Sequence, residues 1–218
     1  MNNILTRIAE IGIVPVVVLD RVEDAVPLIR SVKAGGLPCA EITLRTPAGL
    51  NAISAVAQAE DNIIVGAGSV LNLDMCKDAL SAGAKFIVSP GFNQAVVSHC
   101  IEHGIVVLPG CVTPTEIMAA LACGVHTVKF FPSNVYGGLD AMKALSGPFP
   151  EVRFVPTGGV NAANLGQYIS TPYISAVGGS WLCSAKDIKA GAFDNVTRLC
   201  AQAVKSVKEA RVYPKKRK

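Results

Sequence analysis

Eight short apolar runs, separated by stretches with helical periodicity, constrain this chain more than any other feature. The runs are Ile13–Leu19, Ala40–Leu44, Ile63–Val65, Phe86–Val88, Ile105–Leu108, Thr127–Phe131, Arg153–Val155 and Ile174–Val177. Each is too short for a helix and several are rich in β-branched residues, so strands are expected. The segments between them read as helices: within residues 22–32, Ala25, Val26, Leu28, Ile29 and Val32 share one face. Gly83, Gly104 and Gly124 each fall just before a strand, at intervals of 21 and 20 residues, and Gly35-Gly36 does the same earlier. Glycine suits a helix end because the next residue often needs a left-handed conformation.

Strand–helix units in series make a parallel sheet, and eight strands is the number that closes a barrel. The rival is an open doubly wound sheet, which carries a G-x-G-x-x-G after its first strand; none occurs here. The expected fold class is therefore α/β, a (β/α)8 TIM barrel of one domain with an N-terminal helix. It should occupy residues 1–210, with residues 211–218 as a disordered basic tail.

The 218 residues are 50% hydrophobic and 17% charged, enough apolar material for one well-filled core. The net charge of +4 resides in Lys215-Lys216-Arg217-Lys218, so the body is near neutral and offers no basic stripe for nucleic acid. No apolar run approaches a membrane span, and the N-terminus lacks a signal peptide's apolar block. Seven irregularly spaced cysteines without a C-x-x-C suggest no disulfide framework and a cytoplasmic setting.

Active sites in this fold lie at the C-terminal ends of the strands, and polar residues interrupt the apolar pattern there. In Glu41-Ile42-Thr43-Leu44-Arg45 the polar residues share one face, which must point inward if helices cover the other. A structural ion pair between Glu41 and Arg45 is the plain alternative to a catalytic role. Lys129 alternates with Val128 and Phe130 and should also point inward, since a closed barrel has no edge for it. Aromatic neighbours and a cation such as Arg45 would favour the neutral amine that attack on a carbonyl requires. Lys85, at the opposite end of its strand, reads as a surface residue.

Two glycine-rich turns end the seventh and eighth strands, Thr157-Gly158-Gly159 and Gly178-Gly179-Ser180. Bare backbone N–H groups there suit a phosphate. His99 and His103, spaced i, i+4, could chelate a metal, but they precede the fifth strand, and His126 is the only other histidine. A solvated helix face is the preferred reading.

Taken in order, Glu41-Ile42-Thr43-Leu44-Arg45-Thr46, Gly66-Ala67-Gly68-Ser69-Val70, Ser89-Pro90-Gly91, Lys129-Phe130-Phe131-Pro132, Pro156-Thr157-Gly158-Gly159 and Gly178-Gly179-Ser180-Trp181 resemble the bacterial 2-keto-3-deoxy-6-phosphogluconate aldolases, also known as 4-hydroxy-2-oxoglutarate aldolases. The resemblance implies a homotrimeric class I aldolase that needs no cofactor and no metal. It makes Lys129 the Schiff-base lysine and Glu41 the general acid/base. Arg45 and Ser69 would hold the pyruvate carboxylate, while Pro90 and Phe131 line the pocket. Thr157, Gly158, Gly159, Gly179 and Ser180 would face the distal hydroxyls and phosphate. Ser69 departs from the family's usual threonine, keeping the hydroxyl with slightly looser packing expected. Two alternatives stand beside this reading: a phosphogalactonate aldolase, whose corresponding strand lacks the arginine at position 45, and a non-catalytic sugar-phosphate-binding barrel.

Overall fold

The computed structural model describes residues 3–60 and 62–212. A first helix, α1 (Asn3–Ile11), turns at Gly12 into β1 (Ile13–Val17). Seven further strands follow: β2 (Cys39–Thr43), β3 (Ile64–Gly68), β4 (Phe86–Val88), β5 (Val106–Leu108), β6 (Thr127–Phe130), β7 (Arg153–Pro156) and β8 (Val177–Gly179). Between them run α2 (Ala25–Ala34), α3 (Gly49–Ala59), α4 (Leu73–Ser81), α5 (Gln94–Glu102), α6 (Pro114–Ala122), α7 (Gly138–Ser146) and α8 (Leu165–Ile169). Helices α9 (Ala185–Lys189) and α10 (Phe193–Val212) complete the chain.

Local chemistry accounts for many of the boundaries. Asn72, Asn93 and Thr113 each accept a hydrogen bond from a first-turn backbone N–H, and Thr113 with Glu116 forms a full capping box. Gly83, Gly104 and Gly124 all adopt positive φ where a helix hands over to a strand, as their spacing predicted.

All strand pairs are parallel, forming a six-stranded sheet in the order β5-β4-β3-β2-β1-β8 and a separate pair β6-β7. A continuous eight-strand ladder, the expectation from sequence, is not formed; single bridges join the two sheets instead. Gly110 bridges to Lys129, just past β5, where Pro109 has no N–H to extend the ladder. On the other side Phe154 bridges Ile174 and Thr157 bridges Gly178, so the register slips by one residue between them. That slip is a bulge, and it is why β8 begins at Val177 rather than at the expected Ile174.

Alternate residues of each strand belong to two different cores. Ala40, Ile42, Val128, Phe130 and Phe154 face the helices. Val14, Cys39, Ile64, Phe86, Val106 and Val155 turn the other way and pack together, drawn from both sheets. This inner cluster collects the first residues of several strands, and Ile8 of α1 packs into it. Toward the C-terminal ends the same inner faces become polar.

Helix α10 runs through Val212, two residues into the segment expected as tail. Arg211 donates hydrogen bonds to the backbone oxygens of Ala9 and Glu10, satisfying carbonyls at the end of α1. The rest of the basic segment, residues 213–218, lies outside the described residues.

Candidate active site

Glu41 sits on the inner face of β2 and is 3% exposed. Its carboxylate leans over Gly68, where an added Cβ would lie 2.2 Å from Oε1. Any side chain at position 68 would therefore evict the carboxylate. Lys129, 2% exposed, enters from β6. Its backbone is fixed on the far side, since its N–H donates to the Pro109 oxygen and its own oxygen accepts from the Cys111 N–H. Across 88 residues of sequence, Lys129 Nζ donates to Glu41 Oε1 at 3.2 Å. The ring of Phe131 lies beneath the amine, 5.1 Å from Nζ to its centroid. Burying either charge alone would be costly, and each makes the other tolerable.

The structural alternative paired Glu41 with Arg45; instead, the carboxylate is paired with Lys129. The reason is the turn that begins at Leu44. Beyond the end of β2, Arg45 is carried to the exposed rim, where its Nε donates to Ser69 Oγ at 2.8 Å. The charged group beside the amine is thus a carboxylate, in place of the nearby cation expected from Arg45. Ser69 itself has φ of 58°, in the left-handed region where a β-branched threonine is strained.

Pro90 is brought in by a close backbone contact. An added Cβ at Gly110 would meet the Pro90 oxygen at 2.0 Å, and Gly110 is the bridge partner of Lys129. Ser89, buried beneath, donates to the Gly91 oxygen at 2.7 Å. The two glycine turns also meet: Thr157 and Gly178 form a bridge, and an added Cβ at Gly178 would strike Thr157 Oγ1. Gly158 and Gly159 adopt φ of 87° and 78°. Their loop pairs with the chain after β6, because the Ser133 and Asn134 N–H groups donate to the Thr157 and Gly158 oxygens. Gly179 precedes a short 3-10 turn, Ser180–Leu182, with Ser180 exposed at its start. The predicted site residues therefore fall on neighbouring strand ends.

Sequence reasoning missed Gly68 and Gly110, whose missing side chains make space for Glu41 and for the Pro90 loop. A glycine inside or just beyond a strand often signals such an approach, and that was the available clue. His99 and His103 belong to α5 and the turn after it, with ring centroids 4.2 Å apart, at the opposite end of the strands. Among the described residues no three His, Cys, Asp or Glu side chains gather as a metal site. Lys85 is exposed, as expected. A cavity of about 1010 Å³ also opens at that far end, between Leu5, Ile105, His126 and Arg153, and includes none of the predicted site residues.

A lysine and a carboxylate enclosed together at the C-terminal ends of parallel strands define a site of the lysine-dependent aldolase class. The chain belongs to the KDPG and KHG aldolase family, whose model matches residues 4–199. It is 45% identical over 207 residues to the 2-dehydro-3-deoxy-phosphogluconate aldolase of Treponema pallidum, covering 95% of this chain and 99% of that one. A crystal structure of KDPG aldolase from Legionella pneumophila, with pyruvate captured as a covalent carbinolamine intermediate, superposes with a TM-score of 0.88 at 34% identity, over 91% of this chain and 97% of that one. The 2-keto-3-deoxy-6-phosphogluconate aldolase of Zymomonas mobilis, solved with 3-phosphoglycerate, gives 0.84 at 36% identity, over 93% and 94%.

Proposed function

We propose that this protein splits 2-keto-3-deoxy-6-phosphogluconate into pyruvate and glyceraldehyde 3-phosphate, and that it also splits 4-hydroxy-2-oxoglutarate into pyruvate and glyoxylate. The observation that carries this reading is the enclosed Lys129–Glu41 pair. Transfer of one proton from the ammonium to the adjoining carboxylate leaves a neutral amine. That amine attacks the C2 ketone, and loss of water gives a protonated imine joined to Nζ. With Glu41 again a carboxylate, it takes the C4 hydroxyl proton through a water. The C3–C4 bond then breaks, its electrons run to the imine nitrogen, and the aldehyde leaves. Glu41 returns a proton to C3 of the enamine, and hydrolysis frees pyruvate and the lysine.

The remaining residues divide the substrate between them. Arg45 and Ser69, already hydrogen-bonded to each other, suit the carboxylate, and Pro90 and Phe131 flank the carbon chain. Thr157, Gly158, Gly159, Gly179 and Ser180 suit the distal hydroxyls and phosphate. We read the eight strands as one closed (β/α)8 barrel, a reading supported by the bridges on both sides of the β6-β7 pair. Residues 1–210 are its body in this reading. The working form is read as a cytoplasmic homotrimer; all seven cysteines are free, and exposed apolar side chains such as Leu71 and Met118 are what a subunit contact would cover.

Borohydride added with pyruvate tests the proposal. One pyruvate-derived mass should appear on the peptide containing Lys129, with loss of activity. Label on another lysine, or none, overturns it, and the latter result would favour the non-catalytic binding barrel. Cleavage assays on phosphogluconate- and phosphogalactonate-derived substrates side by side decide the C4 preference.

A further inference from the structure

We infer that Thr43 is a positioning residue for Glu41, donating its hydroxyl to the carboxylate once Lys129 has become an imine. The inference rests on the Schiff-base reading above and deepens it. Among the described residues, Thr43 Oγ1 is the enclosed side-chain polar atom without a hydrogen bond. An enclosed hydroxyl with no partner costs stability, so its presence on the same face as the reactive pair calls for a partner in another state. Thr43 is 0% exposed, so its partner is sought among the groups that share its face of the strand.

Strand geometry narrows the choice. Thr43 lies two residues beyond Glu41 and so shares its face. Its register partner across the sheet is Gly68, and Gly68 is the residue over which the Glu41 carboxylate leans. Carboxylate and hydroxyl therefore occupy the same level of the interior. In the free enzyme Oε1 is held by the Lys129 amine. On imine formation the nitrogen's three N–H groups fall to one, so Lys129 can offer the carboxylate no more than a single donor when it must act as a base. A turn toward Thr43 adds a second donor and holds the ionised carboxylate in place.

Thr43→Val removes the hydroxyl at nearly constant volume, and Thr43→Ser keeps it. With wild type, both variants are assayed for Tm, for borohydride trapping of pyruvate, and for exchange of pyruvate methyl protons with deuterated water. Thr43→Val should keep or raise the Tm of the free enzyme and still be trapped at Lys129. Its exchange rate should fall about tenfold, the effect of one hydrogen bond made only in the intermediate. Thr43→Ser should recover most of that rate. Exchange by Thr43→Val at the wild-type rate, or no recovery by Thr43→Ser, overturns the inference. So does a clear loss of Tm in Thr43→Val, which would mean that the hydroxyl is already bonded in the free enzyme. Wild type left unlabelled at Lys129 instead defeats the Schiff-base reading, and this inference with it.

Discussion

At the scale of single residues, the site depends on one contact between two charges that neither could sustain alone. Glu41→Gln keeps the volume and a hydrogen bond to Lys129 but removes the base. Borohydride trapping of pyruvate should persist (though more slowly), because an amine buried without its carboxylate is driven toward its neutral form. Exchange of the methyl protons should fall by roughly 100-fold or more, the usual contribution of a positioned general base. Gly68→Ala should mimic that loss without touching either charge. The added Cβ would lie 2.2 Å from Oε1 and 2.6 Å from Cγ of Glu41, and this side chain can swing aside, so the protein folds with its base displaced. Wild-type exchange in both variants, followed by NMR, would make Glu41 a structural partner only. Ser69 shows a subtler effect. Its left-handed backbone makes serine easier to hold there than a β-branched threonine.

At the scale of elements, the bridge between Thr157 and Gly178 ties the turn after β7 to the end of β8. Gly179 is a poor place to test a phosphate grip, since an added Cβ would press on Leu182, Ile13 and Trp181 at 3.1 to 3.2 Å. Ser180 is exposed at the start of its 3-10 turn and can be changed without that interference. Ser180→Ala should lower kcat/KM for the phosphorylated substrate about tenfold, as for one hydrogen bond to a charged group, and leave hydroxyoxoglutarate cleavage nearly unchanged. Equal losses on both substrates would reduce these turns to structural features. Inorganic phosphate should compete with the sugar acid in the wild type, and more weakly in the variant.

At the scale of the whole molecule, the cysteines report on global opening. Burial pushes the thiols of Cys39, Cys111 and Cys200 up to about 12 from an ordinary 9.0, and raises that of Cys183 as well. A thiol whose pKa is raised by folding ionises more readily once the chain unfolds, so rising pH favours the unfolded state between the two values. The sign is therefore that this contribution is intact below about pH 9.0 and is lost as pH climbs toward 12. Denaturant midpoints should fall over that alkaline window. A maleimide at neutral pH should label Cys123, the half-buried thiol, first, and the others only as the fold opens. Rapid native labelling of Cys39 or Cys200 would contradict this, as would alkaline stability that stays flat.

Much of this was legible along the chain because it follows from local rules. Strand-length apolar runs, helix caps and glycines at helix ends depend on neighbours a few residues away, and the period-two alternation is enough to turn Glu41, Thr43 and Lys129 inward. Contacts across the interior were not legible. Whether Glu41 meets Arg45 or Lys129 depends on where β2 ends and how β6 is seated against it, 88 residues later, and no local pattern encodes that distance. The space that Gly68 and Gly110 leave empty, the bulge that delays β8 and the enclosure of the Thr43 hydroxyl likewise arise only when strands distant in sequence are brought side by side. Local pattern was enough to say which faces turn inward and which residue types could do chemistry there. Packing decided which of them touch, because side-chain contact is set by the relative placement of whole elements and not by spacing along one of them.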